Sequence, residues 1–511
     1  MAELTVTLTS HYFKVTRITV RGRGAVEQFA RKYIQYDKKY IQGRFSQVAL
    51  KVFAAATADR TEYRFHINQL PEFQLHLRLD HIREDQVEYF HEPLDEPKIV
   101  DIPLRDDVHT PRPAQELAVD YILAPEPKLK LVSMQTGQGK SFVAMIATAR
   151  LRYMPVYMVK PGYIDKWILD LRKTYKLELK DLMVIRGTES LQQLLELAVA
   201  DAIPSKIILV SNRTFQIWIK LYEKLGEGTL QIGYACRPDE FFKLLKAGIR
   251  IVDEVHQDFH LNFKIDLYTN VQKSLAMSAT LKADDAFLNR MYEIAYPMAT
   301  RFEGDAYIKY ISATALLYRF EKPELVKSEN WRQKTYSHHV FEESIMRHKE
   351  VLKNYIDMIK TVVDMELVYD HVDGEKMLIY VASVEFATEL VRRLQIAYPQ
   401  FKIRRYCGTA GDPYEDLMTA DCSVSTLGSA GTNVDIPGLK CVFLSNAVNS
   451  TQSNVQGFGR LRNNLAPGRV PRFVWATNED TRKQIEYHDR KMVILKDLAL
   501  SLNSRVYHRT L

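Results

Sequence analysis

The stretch Leu131-Val132-Ser133-Met134-Gln135-Thr136-Gly137-Gln138-Gly139-Lys140-Ser141 carries an apolar run into a glycine-rich turn, and the periodic segment Phe142 to Arg150 follows as a helix. A strand, a glycine-rich turn and a helix N-terminus together form an anion cradle, because backbone N–H groups and the positive end of the helix point at one spot. Lys140 is placed to reach the β- and γ-phosphates of a nucleotide. Ser141 is placed to hold Mg2+, with Thr136, Gly137 and Gly139 shaping the loop. Met134 stands where the strict spacing of such a loop has a glycine. The strand before and the helix after therefore carry the reading.

Downstream, Gly248-Ile249-Arg250-Ile251-Val252-Asp253-Glu254-Val255-His256 ends a second apolar strand on an acidic pair. The carboxyl end of a strand is where a parallel sheet places its chemistry. Asp253 there can hold Mg2+ through its water shell, and Glu254 can orient and deprotonate an attacking water. An Asp-Glu pair alone is more often a solvated turn or a helix cap. Its pairing with Lys140 favours chemistry.

These residues resemble superfamily 2 helicases and translocases, and the remaining landmarks of that family occur in its order between about residues 108 and 478. Arg112-Pro113-Ala114-Gln115 is similar to the adenine-reading element, with Gln115 as the contact. Lys160-Pro161-Gly162 with Trp167 resembles the first strand-contacting motif, and Ser211-Asn212-Arg213-Thr214-Phe215 the second. Asp253 to His256 then reads as a DExH box, and Ser278-Ala279-Thr280 resembles the motif coupling hydrolysis to strand movement. Met377 to Ser383 resembles the first strand of the second motor domain. Gly431-Thr432-Asn433-Val434-Asp435-Ile436-Pro437 resembles the motif touching nucleotide and backbone, and Gln456-Gly457-Phe458-Gly459-Arg460 opens the arginine-finger motif.

The resemblance implies roles residue by residue. Asp435 joins the nucleotide contacts. Asn212, Thr214, Gly431 and Thr432 lie near the phosphates of the track, and His256, Ser278, Thr280 and Gln456 couple the nucleotide state to movement. One departure stands out: Asn463 occupies the place of the family's second arginine, and Arg462 sits one position early. Either Arg460 and Arg462 share the neutralisation of the transferring phosphoryl group through a helix irregularity, or Arg460 acts alone.

Composition agrees with this reading. The 511 residues suit three or four domains. Cys236, Cys407, Cys422 and Cys441 are scattered without metal-ligand spacing, which suits reduced thiols. No apolar run has the length of a membrane span, and the N-terminus lacks the charged and apolar regions of a signal peptide. A soluble protein of the cytoplasm is expected, and by the resemblance one of a bacterial or phage-infected cell. The net charge of +7 is modest for the size.

Charge distribution says more. The first fifty residues hold nine Lys or Arg against three Asp or Glu, interleaved with Tyr12, Phe13, Phe29, Tyr33, Tyr36, Tyr40 and Phe45. Arg21-Gly22-Arg23-Gly24 reads as a basic loop between a strand Phe13 to Val20 and a helix Ala25 to Tyr36, open to a nucleic-acid backbone. Phe29, Tyr33 and Tyr36 recur at helical spacing and read as core.

The expected fold is α/β: two tandem RecA-like parallel-sheet motor domains with a small α+β N-terminal domain. Expected boundaries are an N-terminal domain over 1–100, motor domain 1 over 101–310, a linker over 311–345, and motor domain 2 with a C-terminal helix over 346–511. The resemblance implies an ATP- and Mg2+-dependent DNA helicase or translocase, monomeric or weakly oligomeric, with single-stranded, forked or branched DNA as partner. Compact spacing and a small N-terminal domain point toward the phage recombination and repair helicases of the UvsW kind. An RNA helicase is the nearest rival, and a nucleic-acid-binding factor with a vestigial motor is a third reading.

Overall fold

The computed structural model describes residues 2–41, 44–135, 137–278, 281, 283, 285–304, 308–330, 335–369, 371–407, 412, 414–430, 436–463 and 465–511. At 38–41, 44–47, 414, 430 and 452 it describes the backbone alone. The chain divides into two compact units, residues 1–305 and 306–511.

Unit 1 opens with β1 (Leu4–Leu8), β2 (Tyr12–Thr16), α1 (Val20–Arg31), β3 (Ile34–Ile41), β4 (Arg44–Val52), β5 (Ala55–Ala56), β6 (Tyr63–His66), α2 (Leu70–Leu79) and β7 (Val87–His91). Five strands form a mixed sheet ordered β5-β6-β2-β1-β7, with β7 parallel to β1 and the other pairs antiparallel. Cross-strand partners Phe13 and Phe65 meet Phe29 of α1 and Phe73 of α2, with ring centroids 5.0 to 5.8 Å apart. These rings are packing.

Two expectations fail here. Arg21-Gly22-Arg23-Gly24 is the first turn of α1, where Gly22 N donates to Thr19 Oγ1 at 3.1 Å. A Cβ on Gly22 would come within 2.9 Å of the Glu3 carbonyl, so glycine lets the helix start against β1. The helix also stops at Arg31, and the chain turns into the β3–β4 ladder. Tyr36 thus lies on a strand and is 45% exposed, whereas Phe29 and Tyr33 are buried.

Unit 1 continues with α3 (Pro113–Leu123), β8 (Leu129–Ser133), α4 (Lys140–Leu151), β9 (Pro155–Val159), α5 (Ile164–Thr174), β10 (Leu182–Ile185), α6 (Thr188–Val199), β11 (Ile207–Ser211), α7 (Asn212–Leu225), α8 (Phe241–Leu244), β12 (Ile249–Val252), α9 (Phe259–Asp266), β13 (Lys273–Ser278), α10 (Ala286–Ala295) and β14 (Arg301–Glu303). Its seven strands are parallel in the order β10-β11-β9-β12-β13-β8-β14. Strands β9, β11, β12 and β13 are buried along their whole length, as a sheet covered on both faces requires. Register aligns their carboxyl ends: Ser278 pairs with Ser133, Val252 with Ala276, and Ser211 with Val159. Every segment leaving those ends emerges at one edge.

Unit 2 comprises β15 (Ser312–Tyr318), β16 (Glu329–Asn330), β17 (Thr335–Tyr336), α11 (His338–Arg347), α12 (Lys349–Val363), β18 (Lys376–Val381), α13 (Val384–Ala397), β19 (Ile403–Tyr406), α14 (Tyr414–Thr419), β20 (Cys422–Thr426), α15 (Leu427–Ala430), β21 (Leu439–Leu444), α16 (Thr451–Phe458), β22 (Arg472–Asn478), α17 (Arg482–Lys496) and β23 (Ser501–Val506). A second parallel seven-stranded sheet runs β19-β20-β18-β21-β22-β15-β23. Alternate residues of β18 feed two cores, Met377, Ile379 and Val381 one, Leu378 and Tyr380 the other. The stretch 311–345, expected as a linker, holds β15, β16, β17 and most of α11. Among the described residues no helix is long and apolar enough to cross a membrane.

Candidate functional site

The glycine-rich loop leaves β8 at Ser133 and enters α4 at Lys140. Gly137 and Gly139 have φ of 87° and 86°, a left-handed conformation that glycine adopts without a Cβ penalty. Lys140 is nearly buried, and its Nζ donates to the Met134 carbonyl at 3.1 Å. Met134 itself is buried and lies against Gly304, where a Cβ would meet its Cγ at 3.3 Å. Packing thus explains a long apolar side chain at a position where the strict loop pattern has glycine. Ser141 is half-buried in the first turn of α4. Thr136 lies outside the described residues.

Gln115 is 2% exposed, and its amide is engaged on both sides. Oε1 accepts from Arg112 N at 3.0 Å, and Nε2 donates to the Gln138 carbonyl at 2.8 Å, tying α3 to the loop. Each amide atom retains one further bonding direction for a base edge. A Cβ on Gly139 would fall 2.6 Å from Gln115 Nε2. Gly139→Ala therefore combines a clash with a positive φ. The expected cost is about 1–3 kcal/mol of strain together with weakened nucleotide binding, read by thermal unfolding and by titration with a fluorescent nucleotide. Unchanged values for both would remove the loop from the site. His109, which no motif singles out, stacks on Phe142 of α4 with ring centroids 4.2 Å apart.

The acidic pair leaves β12, which β13 separates from β8. Asp253 is 9% exposed, with Oδ1 accepting from Glu254 N at 2.9 Å and Oδ2 from Trp167 Nε1 at 3.0 Å. Burial, then the Glu254 charge, raises its pKa, while Lys166, Lys140 and the indole N–H oppose the rise. Glu254 takes φ of 46°, which costs a residue with a Cβ about 1–2 kcal/mol. Its Oε1 lies 4.0 Å from Lys140 Nζ, and its Oε2 lies 3.3 Å from His256 Nδ1.

His256 Nδ1 also meets Ser278 Oγ at 2.7 Å, at the end of β13. Burial first, then the Lys140 and Lys160 charges, push the His256 pKa down to about 4, so the ring is neutral near pH 7. Glu254 Oε2 and Ser278 Oγ thus both lie beside the single Nδ1 of His256, the hydroxyl within hydrogen-bond distance and the carboxylate in close polar contact. Thr280 lies outside the described residues.

The segments read as track contacts also reach the acidic loop. Trp167 is fully buried, so its indole faces Asp253 and not solvent. Gln257 Oε1 accepts from Tyr163 Oη at 2.6 Å and from Lys160 Nζ at 3.2 Å. Asn212, 5% exposed, lies 3.4 Å from Asn262, which donates to the carbonyls of Val255 and Gln257. Thr214 Oγ1 accepts from Gly187 N at 2.8 Å. Between these two side chains, Arg213 is exposed.

Unit 2 holds the remaining candidates. Helix α16 ends at Phe458, so Arg460 and Arg462 sit beyond it rather than on a helix. Arg460 is 7% exposed and hydrogen-bonds Tyr380, whose pKa burial pushes up to about 12 against the pull of the guanidinium. Arg462 is half-buried and donates to the Gly459 carbonyl. Gln456 is half-buried within α16. Gly431, Thr432 and Asp435 lie outside the described residues.

Lys140, Asp253, Glu254, His256 and Ser278 thus converge on one strand edge. The set fits a nucleoside triphosphate with Mg2+: a helix N-terminus and an ammonium for the phosphates, Ser141 and Asp253 for the metal, and Glu254 for water.

No protein-family model and no curated protein matches this sequence. Solved structures do. S. cerevisiae Dbp5 bound to RNA and ADP BeF3 is 11% identical with a TM-score of 0.51, covering 78% of this chain and 90% of that one. The Hef helicase domain of Pyrococcus furiosus is 14% identical, covering 76% and 99%, with a TM-score of 0.46. T4 UvsW is 12% identical and covers 99% of both chains, with a TM-score of 0.33. The Dbp5 likeness shows the fold: two RecA-like parallel-sheet domains in tandem, preceded here by a small α+β layer.

Proposed function

We propose that this chain is an ATP-dependent DNA helicase or translocase of superfamily 2, of the DExH kind, remodelling forked or branched DNA in replication, recombination or repair. One observation carries the reading. On register-aligned strands of a RecA-like sheet, Lys140 and the Glu254–His256–Ser278 cluster meet beside Asp253.

In this reading the loop and Lys140 bind the phosphates, and Gln115 supports the loop and reads the base. Ser141 and Asp253 hold Mg2+, which when bound neutralises phosphate charge and polarises the bond to be broken. Glu254 takes a proton from the attacking water, and the contacts through His256 to Ser278 sense that event. Arg460, with or without Arg462, neutralises charge on the transferring phosphoryl group, Asp435 joins the nucleotide contacts, and Gln456 couples the nucleotide state to movement. Lys160, Arg213, Gly431 and Thr432 grip the track, and Asn212 and Thr214 hold that surface from beneath. The DNA choice rests on the likeness of the motif set to the UvsW kind.

RNA is the second reading, favoured by the RNA in the Dbp5 structure. Steady-state ATP hydrolysis without nucleic acid and with single-stranded DNA, forked DNA or matched RNA separates the two. Strong stimulation by DNA, greatest with forks and lost in Lys140→Ala, supports the proposal. Stronger stimulation by RNA replaces it, and no hydrolysis under any condition leaves a nucleic-acid-binding factor.

A further inference from the structure

We propose that Trp167 is a positioning residue that fixes the Asp253 carboxylate for its metal. The inference rests on the nucleotide-site reading above and extends it to a side chain that touches neither nucleotide nor track. An indole N–H is a single donor with one direction, and here it ends 3.0 Å from Asp253 Oδ2. Glu254 N occupies Oδ1 at 2.9 Å. With one partner on each oxygen the plane of the carboxylate is set, and each oxygen keeps a lone pair for a metal-bound water.

The donor is itself held. Trp167 packs on the Tyr157 ring with centroids 5.1 Å apart, and Tyr157 Oη lies 3.3 Å from both Thr148 Oγ1 and Tyr175 Oη. Tyr175 Oη donates to the Met145 carbonyl at 2.7 Å. Thr148 and Met145 belong to α4, the helix that starts at Lys140. The metal-binding carboxylate and the phosphate loop are therefore braced against one buried aromatic stack. Trp167 also rides on α5, directly behind the turn whose Tyr163 and Lys160 grip Gln257. Displacement of that turn by a bound strand would reach Asp253 through a rigid side chain.

Partners that orient a metal-binding side chain are worth about 10- to 100-fold in metal affinity or activity. Trp167→Phe keeps an aromatic ring, smaller than the indole, and removes the donor, and Tyr157→Phe removes a hydroxyl from the same stack without touching Asp253. The test titrates ADP against the full-length protein with and without Mg2+, with nucleic-acid-stimulated hydrolysis in parallel. Trp167→Phe is expected to raise the half-saturating Mg2+ concentration by about tenfold. It should leave metal-free ADP binding unchanged and lower kcat more than it changes KM for nucleic acid, while Tyr157→Phe follows wild type. A wild-type Mg2+ response in Trp167→Phe, or an equal loss in Tyr157→Phe, overturns the role of Trp167 and leaves the site reading intact. Wild type that binds no ADP with or without Mg2+ overturns the site reading, and the role of Trp167 with it.

Discussion

Glu254→Gln is expected to lower ATP turnover by about 10²–10⁴-fold, the worth of a positioned general base, while nucleotide binding persists. Glutamine matches glutamate in size and keeps one carbonyl oxygen, which can face Lys140 or His256 but not both. What disappears is the capacity to take a proton from water. Glu254 stands at the carboxyl end of β12 in a left-handed conformation, 4.0 Å from Lys140 and 3.3 Å from His256. A backbone held at positive φ in a residue with a Cβ implies a side-chain direction that the surroundings enforce. Since His256 is neutral near pH 7, the charge of its ring does not change across that range, and the proton-accepting step is what the variant loses. Rapid-quench measurement of bound ATP against released phosphate checks this. Turnover equal to wild type would move the base elsewhere and leave Glu254 as a loop-shaping residue.

The site's local parts were legible because each is contiguous. A strand, a glycine turn and a lysine at a helix start read directly, and a DExH stretch after an apolar run reads as a strand end. What the sequence hid was long-range. Trp167 reaches Asp253 over a separation of 86 residues, and its neighbours in sequence belong to a track-contacting motif that gives no sign of this buried partner. In the N-terminal layer, Phe29, Tyr33 and Tyr36 keep helical spacing, but pairing of β3 with β4 overrides that pattern after Arg31. Arg21-Gly22-Arg23-Gly24 reads as a loop by composition, whereas Gly22 serves the close approach to Glu3. The strand Ser312–Tyr318 is hard to read beside the polar stretch Glu321 to Ser344 that follows it, although parallel neighbours on both sides hold it in the second sheet. Arg462 follows from the early end of α16, which no single residue announces.

Asp266→Ala is expected to cost unit 1 about 3–5 kcal/mol, the penalty for breaking a buried ion pair from one side. Arg250 lies inside β12, three residues before Asp253, and is 1% exposed. Its Nη2 donates to Asp266 at the end of α9, and its Nη1 donates to Thr269. Burial raises the Asp266 pKa even against the attraction of Arg250. His66 is held down to about 3 by burial and by Arg250, and His11 is lowered by the same two causes, so neither ring brings a charge to the pair. Removing Asp266 therefore strands a guanidinium with no anion to answer it. The cost belongs to the orphaned charge and not to the bond itself, and that distinction can be tested. Arg250→Met with Asp266→Leu removes both charges at similar volume and should recover most of the loss, because apolar packing often equals or exceeds a buried pair. Two compact units make a global melt ambiguous, so hydrogen exchange of the β12 amides is the direct measure. A double variant as unstable as Asp266→Ala would show that the pair itself, and not the avoidance of a lone buried charge, holds β12 in register beneath the acidic loop.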